Sequence, residues 1–156
     1  MVSHLTLSDV LRAHSFTAGL SDAQVEGLAK LATEVTFEED EVILINGQRS
    51  TNFYFVITGS VVVQLSKPSF AVCVQSLAAG DVFGWSALLE RQDTLFQVRS
   101  RERTTALEID GAALKQRCFE DPSLGVALLH RLLNVVAGRV KSTELRFAEM
   151  CGIRVS

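Results

Sequence analysis

The run "GDVFGWSALLERQDTLFQVRS", residues 80–100, decides how the rest of this chain is interpreted. A strand-like segment ends at Gly84, and the apolar run that follows it, residues 85–89, has the composition of a short helical turn. A polar loop leads to a second strand-like segment at residues 94–100. We therefore predict a strand, a glycine, a short helix, a loop and a strand in this order.

Gly84 and the residues after it have the features of an anion site. Glycine has no Cβ, so Gly84 can adopt unusual dihedral angles and allows a close approach to the backbone. The first amides of a helix have no partner within the helix and carry the positive end of its dipole. The amides of Trp85, Ser86 and Ala87 are therefore predicted to point outward, where they could hold an anion.

The segments around this run have the pattern of β structure from residue 33 to residue 109. Short alternating or apolar segments are separated by turn residues, among them Asn46-Gly47 and Gly59-Ser60. We predict a tight hairpin at Gly59-Ser60. Several short strands with regular spacing are typical of a β-sandwich or a β-barrel.

Helical segments flank the β zone on both sides. In residues 1–32, Ser21 and Gln24 have the spacing of a capping box. In residues 110–148, Asp110 and Asp121 are placed to cap two helices, and Pro122 suits the first turn of the second helix. The length of 156 residues fits a single domain, residues 1–156.

The last helix, residues 121–148, carries an apolar stripe on each of two flanks. The first stripe has spacings of four and three and consists of Leu129, Leu133, Val136, Val140, Thr143 and Phe147. Leu128, Leu132 and Val135 form the second. The first spacing is that of a coiled-coil seam, so we predict a homodimer through this helix. The alternative is that the stripe packs only on its own barrel.

Composition argues against several classes of protein. The net charge is −3, whereas proteins that bind duplex DNA usually have a basic face. The arginines at 99, 101 and 103 form the one basic cluster, which we interpret as a solvated strand face. No signal peptide and no apolar segment of membrane-spanning length is evident, so we expect a cytoplasmic protein without membrane contact.

The histidines and cysteines do not have the pattern of a metal site. His4, His14 and His130 all lie outside the β zone, and the three cysteines, at positions 73, 118 and 151, are widely spaced. We predict no disulfide, no metal and no enzymatic activity. Each cysteine lies in or beside an apolar segment, so we expect buried thiols.

Three runs carry a resemblance to a known family. "FEEDEVILINGQ" (37–48), "FYFVITGSVVV" (53–63) and "LAAGDVFGWSALL" (77–89) resemble the glycine-punctuated strands and the phosphate-binding cassette of the cyclic-nucleotide-binding domain in the catabolite activator (Crp/Fnr-like) family. "GWSALL" is similar to a bacterial subgroup of short proteins made of this domain alone. The resemblance implies a mainly β fold with flanking α-helices, a double-stranded β-helix (jelly roll) with N-terminal helices and a long C-terminal helix.

The cassette of this chain, residues 83–97, departs from the family at two side chains. The family has a carboxylate directly after the glycine and an arginine several residues later, where this chain has Trp85 and Thr94. Leu95 and Phe96 then replace two small residues. A charge-assisted bond to phosphate contributes roughly 1.5–3 kcal/mol, so losing the arginine lowers affinity by a factor of about 10 to 100. We therefore do not expect cAMP to bind in the family's usual way.

The resemblance and the cassette together predict a set of ligand-binding residues, with cAMP, cGMP or another nucleotide as the ligand and no resident cofactor. This set consists of Phe83, Gly84, Trp85, Ser86, Ala87, Arg91, Thr94, Leu95 and Thr143. Arg91 either folds back toward the amides or is an exposed loop residue. Trp85 either stacks on a flat ligand or fills the core. Thr143 either contacts a purine base or lies in the dimer seam.

Two functions remain open at this point. One is a regulatory, ligand-sensing domain in which the cassette and the last helix shift together. The other is a protein interaction or dimerisation module that has kept the fold and lost the ligand.

Overall fold

The computed structural model describes residues 5–48, 50–90 and 96–154. The N-terminal helices are α1 (Leu7–Ala13) and α2 (Asp22–Ala29), with a 3-10 helix at Ser15–Thr17 between them. The strands are β1 (Ala32–Phe37), β2 (Val42–Leu44), β3 (Asn52–Thr58), β4 (Ser60–Lys67), β5 (Phe70–Ala78), β6 (Val82–Phe83), β7 (Gln97–Ser100) and β8 (Thr104–Asp110). A second 3-10 helix, Trp85–Leu88, follows β6, and α3 (Gly111–Glu120) and α4 (Pro122–Met150) follow β8.

The strands form two four-stranded antiparallel sheets, with the orders β1-β8-β3-β6 and β2-β7-β4-β5. Helices precede and follow them, and α4 is the longest with 29 residues. This arrangement confirms the predicted mainly β jelly roll with flanking helices.

The predicted hairpin at Gly59-Ser60 is wrong. β3 pairs with β8 and β6, whereas β4 pairs with β5 and β7 in the other sheet. Gly59 has a φ of +87°, and a Cβ there would lie 2.5 Å from the carbonyl oxygen of Arg103. The glycine therefore lets the chain cross from one sheet to the other in a crowded corner.

Two apolar clusters hold the fold together. One lies between the sheets and includes Val56, Val61 and Phe83. The other joins the β structure to the helices and includes Phe53 and Leu128. Because α4 contributes to this second cluster, its buried face is fixed to the barrel.

The three predicted helix caps are confirmed. Ser21 and Gln24 form a capping box, in which each side chain accepts the backbone N–H of the other, at 3.2 and 2.9 Å. Asp110 accepts the N–H of Ala113 at 2.9 Å at the start of α3, and Asp121 accepts that of Leu124 at 3.3 Å at the start of α4. These contacts fix the first turn of α3, which follows β8, and the first turn of α4, which follows α3.

The cysteines are less buried than predicted, although all three are free thiols. Cys73 and Cys151 are exposed and Cys118 is half-buried. β5, which carries Cys73, is one of the two edge strands of its sheet, and Cys151 follows the last turn of α4. An apolar neighbourhood in sequence therefore did not place these two thiols in the core.

The two apolar flanks of α4 have different environments. Leu124, Leu128 and Leu132 are buried in the core. Large apolar side chains elsewhere on the helix are exposed, namely Val126, Leu129, Leu133, Val140, Phe147 and Met150. We call these six residues the α4 stripe. Val136, which belongs to the predicted seam, packs against the core instead.

The expectation that no segment has membrane-spanning length is wrong for α4. It is the one helix in the described part of the chain that is long and apolar enough to cross a membrane, although no such segment was expected from the sequence. The reason is that apolar residues lie on both of its flanks. One flank is used by the core of the domain.

Candidate functional site

A cavity of about 390 Å³ lies between the β-barrel, the 3-10 helix Trp85–Leu88 and α4. Strands β2, β4, β5 and β7 contribute Leu44, Val63, Val74, Gln75 and Val98 to its wall. The cassette contributes Phe83, Gly84, Trp85, Ser86 and Phe96, and α4 contributes Val136, Arg139, Val140, Ser142, Thr143, Glu144 and Arg146. Cavities of this volume are typical of small-molecule sites.

Gly84 fixes the start of the cassette. Its φ is +82°, in the left-handed region, and a Cβ at this position would lie 2.5 Å from the carbonyl oxygen of Asn52. Both the dihedral angle and the close contact therefore require glycine. As a result the chain turns sharply from β6 into the 3-10 helix at the mouth of the cavity.

The amide of Ala87 is not free, contrary to prediction. It donates to the carbonyl of Gly84 at 3.1 Å, because a 3-10 helix closes its first hydrogen bond one residue earlier than an α-helix. Ala87 also packs on α3, since a Cβ on Gly111 would lie 2.5 Å from the Ala87 Cβ. Ala87 is therefore a packing residue that does not line the cavity.

Ser86 is buried, and its hydroxyl accepts the backbone N–H of Ser50 at 3.1 Å. This bond ties the 3-10 helix to the segment before β3. Ser86 still lines the cavity.

Trp85 packs against the core, which was one of the two roles considered for it, and stacking on a ligand stays a prediction. The side chain is half-buried and packs against the core cluster under the helices. The guanidinium carbon of Arg139 lies 4.1 Å from the centroid of its ring, within the range of a cation–π interaction. The aromatic ring thus supports an arginine from α4.

Arg139 lies at the centre of this arrangement. Its Nη2 donates to the carbonyl of Val82 at 2.8 Å, and its Nε is buried without a hydrogen-bond partner among the described residues. Burial lowers the pKa of Arg139 to about 10, and the charge of Asp81 opposes this shift. The guanidinium therefore remains positively charged at neutral pH.

Thr143 and Ser142 line the cavity one turn beyond Arg139. The Thr143 hydroxyl donates to the carbonyl of Arg139 at 2.9 Å, and the Ser142 hydroxyl donates to that of Gly138 at 3.1 Å. Each hydroxyl has its proton engaged with the helix backbone, so it faces a ligand as a hydrogen-bond acceptor.

The structure brings most of the described candidates together. Phe83, Gly84, Trp85, Ser86 and Thr143 line one cavity. The candidates Arg91, Thr94 and Leu95 lie outside the described residues. His, Cys, Asp and Glu side chains form no cluster of three suited to a metal ion within residues 5–48, 50–90 and 96–154.

Sequence reasoning missed three charged residues of α4 that line the cavity: Arg139, Glu144 and Arg146. Helical spacing could have found two of them. Arg139 is four residues before Thr143, and Arg146 is three residues after it. Both arginines therefore share one helix face with Thr143. Arg146 donates from Nη1 to the carbonyl of Cys73 at 2.9 Å, at the edge of β5.

Comparison with known proteins identifies similar sequences and folds. The family model described as "Cyclic nucleotide-binding domain" matches residues 34–121. A curated relative from Rhodopseudomonas palustris, described as a putative potassium channel protein, is 27% identical over 153 residues. That match covers 97% of this chain and 32% of the relative, so the chain spans about a third of the relative's length.

Two solved structures share the fold over nearly the whole chain. A putative cyclic nucleotide-binding protein from Geobacter metallireducens has a TM-score of 0.73 and 26% identity, covering 90% of this chain and 99% of that chain. A cyclic nucleotide-binding domain from Methylobacillus flagellatus has a TM-score of 0.78 and 18% identity, covering 93% and 82%.

Proposed function

This chain belongs to the cyclic nucleotide-binding domain family, and on that premise we propose that it is a ligand-sensing domain whose ligand occupies the cavity under α4. The observation that carries the proposal is the 390 Å³ cavity itself, which is bounded by the cassette on one side and by α4 on the other. A regulatory role follows from membership of the family, and the proposed role is sensing without catalysis.

The geometry supports a coupling between the ligand and α4. Trp85 of the cassette and Arg139 of α4 are in direct contact, and both line the cavity. A ligand that contacts both elements changes the free energy of the docked position of α4 relative to other positions. Occupancy of the cavity would therefore be reported by movement of this helix.

A nucleotide is the ligand class that the family suggests, and this chain would have to bind it with an altered set of groups. Trp85 stands where the resemblance predicts a carboxylate for the ribose, and Thr94 stands where it predicts the phosphate-binding arginine. We propose that cAMP, cGMP or another nucleotide is held by residues of α4 together with the cassette backbone. Thr143 and Glu144 are then available to contact the sugar or the base.

Calorimetric titration of the nucleotide-stripped protein with cAMP and cGMP tests the proposal. Trp85 is the single tryptophan of the chain and lines the cavity, so its fluorescence reports on the same event independently. We expect saturable heat together with a change in Trp85 emission. Silence in both measurements up to millimolar nucleotide would contradict binding of these ligands.

The second candidate function is a dimerisation or protein interaction module. It is favoured by the α4 stripe, whose side chains are exposed while the opposite flank of the helix packs on the core. We propose that a second copy of the chain covers the stripe, which would bury a coiled-coil-like seam. This assembly is compatible with ligand sensing, and it would remain if the cavity had lost its ligand.

We further propose that the domain works in the cytoplasm without direct contact to DNA. The net charge of −3 supports the absence of DNA contact, and so do the contacts of two arginines on and after β7. Arg99 donates to the carbonyl of Asp40 at 2.9 Å, and Arg103 forms an ion pair with Glu38 at 3.5 Å. We propose that a domain of this kind regulates a larger protein, because the relative from Rhodopseudomonas palustris is about three times as long as the part that matches this chain.

A further inference from the structure

We propose that Arg139 of α4 holds the anionic group of the ligand and thereby replaces the arginine that the family has where this chain has Thr94. The proposal rests on the proposed ligand-binding function of the cavity and specifies which residue anchors the ligand there. It also specifies the ligand class: a small organic anion with a flat, largely apolar body.

The first argument is that Arg139 is a partly buried cation with no direct ion pair to a described residue, since the charge of Asp81 acts on it only from beyond salt-bridge distance. None of the ion pairs among the described residues includes Arg139. The Nε atom is buried and has no hydrogen-bond partner there. Buried charges are normally paired, because removing an unpaired charge from water is unfavourable. An anion in the adjacent cavity would supply the missing partner.

The second argument is that the guanidinium is already held in place. The ring of Trp85 lies against its face, and the carbonyl of Val82 accepts one N–H. A guanidinium has five N–H donors, so donors remain for a ligand. A planar fork that is fixed before binding suits carboxylate or phosphate oxygens, since little side-chain entropy is lost when the bond forms.

The third argument concerns the rest of the cavity wall, which is mostly apolar. It is lined by Leu44, Val63, Val74, Phe83, Phe96, Val98, Val136 and Val140. An aromatic ring in this space would be removed from water, while its anionic group faces Arg139. A cyclic nucleotide and an aromatic carboxylate both have this chemistry, and the experiment below distinguishes them.

The experiment measures the affinity of matched charged and neutral probes by calorimetry and Trp85 fluorescence. The pairs are cAMP with adenosine and benzoate with benzamide. They are titrated into the wild-type protein and into Arg139→Gln. Lys141→Gln is the control variant, because Lys141 is exposed on the same helix and does not line the cavity. This substitution removes the same charge from α4 without changing the site.

We expect the wild-type protein to bind at least one of the two anions more tightly than its neutral counterpart. Arg139→Gln should lower the affinity for that anion by a factor of about 10 to 100 and leave the affinity for the neutral probe nearly unchanged. Lys141→Gln should bind as the wild type does. A preference for cAMP identifies the source as a nucleotide, and a preference for benzoate identifies it as an aromatic acid.

Two results would overturn the proposal, and they differ in what else they affect. If Arg139→Gln is folded and binds the anion as tightly as the wild type, the anchor is wrong while ligand sensing stands. If the wild type binds neither anion, both proposals fail for these ligand classes. Should Arg139→Gln not fold, Arg139→Met, which keeps the apolar stem against Trp85, provides the same comparison.

Discussion

Gly84 and Asn52 approach each other so closely that a Cβ on Gly84 would lie 2.5 Å from the carbonyl oxygen of Asn52. Gly84 has a φ of +82°, and Gly47, in the turn after β2, has nearly the same φ, +81°, with no atom within 4 Å of its Cβ position. The two glycines therefore separate the cost of the backbone conformation from the cost of the contact.

We predict that Gly84→Ala destabilises the domain more than Gly47→Ala. The left-handed conformation alone should cost roughly 1–2 kcal/mol in either variant. The clash at residue 84 should add about 1–3 kcal/mol, because backbone rather than a flexible side chain must move. Urea denaturation of both variants measures the difference. Equal losses of unfolding free energy in the two variants would contradict the prediction, because the contact at residue 84 would then add nothing.

A second prediction concerns the response of stability to acid. His14 is buried, its Nε2 lies 3.0 Å from the carbonyl oxygen of Val56, and its Nδ1 accepts the N–H of Phe16 at 3.1 Å. Nδ1 can accept only when it carries no proton, so the fold holds the neutral imidazole. Burial is the main cause that lowers the pKa of His14 below 6.5.

The unfolded chain therefore binds a proton at His14 more readily than the folded chain does. Stability contributed by the neutral ring is fully present above the unfolded pKa near 6.5 and is lost as pH falls toward the lower folded value. The loss should approach about 1.4 kcal/mol per pH unit. Thermal unfolding between neutral pH and about pH 5 measures it. His14→Gln should flatten this slope, whereas a variant of the exposed His130 should not.

The third prediction concerns the thiols. Cys73 and Cys151 are exposed, while burial raises the pKa of the half-buried Cys118. Because the thiolate is the reactive form, Cys118 should react slowly with a disulfide reagent and the other two quickly. Following the release of the chromophore in native protein should show two fast thiols and one slow thiol. Cys118→Ser should remove the slow phase alone, and loss of the fast phase in that variant would contradict the prediction.

The fourth prediction concerns assembly through the α4 stripe. Leu133 is 64% exposed in the stripe, and Leu5 is 66% exposed before α1. Leu133→Asp should shift the protein from dimer to monomer, because a carboxylate would have to be buried without a partner in the seam. Leu5→Asp introduces the same change away from α4 and should leave the dimer intact. Light scattering after size-exclusion chromatography measures both, and an unchanged mass for Leu133→Asp would refute the proposed interface.

The features that could be predicted from the sequence are local ones. The capping box of Ser21 and Gln24 and the caps at Asp110 and Asp121 depend on residues three positions apart, and they formed as predicted. The left-handed Gly84 could be predicted for a similar reason, since a sharp turn after a strand requires it.

The features that could not be predicted depend on contacts between distant parts of the chain. Gly59 has the local signal of a hairpin, but the close packing against Arg103 and Thr104 turns it into a crossing between sheets. Helical spacing places Arg139 on the same face as Thr143, but no local signal shows what Arg139 contacts. Its partners, Trp85 and Val82, are far away in sequence and meet it only when α4 folds back on the barrel.

The position of α4 has one more consequence. The same helix covers the cavity with Arg139 and Thr143 and presents Leu133 and Phe147 to the outside. If a ligand that displaces the helix alters self-association, thermodynamic reciprocity requires self-association to alter ligand affinity by the same factor. The apparent sensitivity of such a domain then depends on its own abundance in the cell, and a titration at one protein concentration gives only one point on that curve.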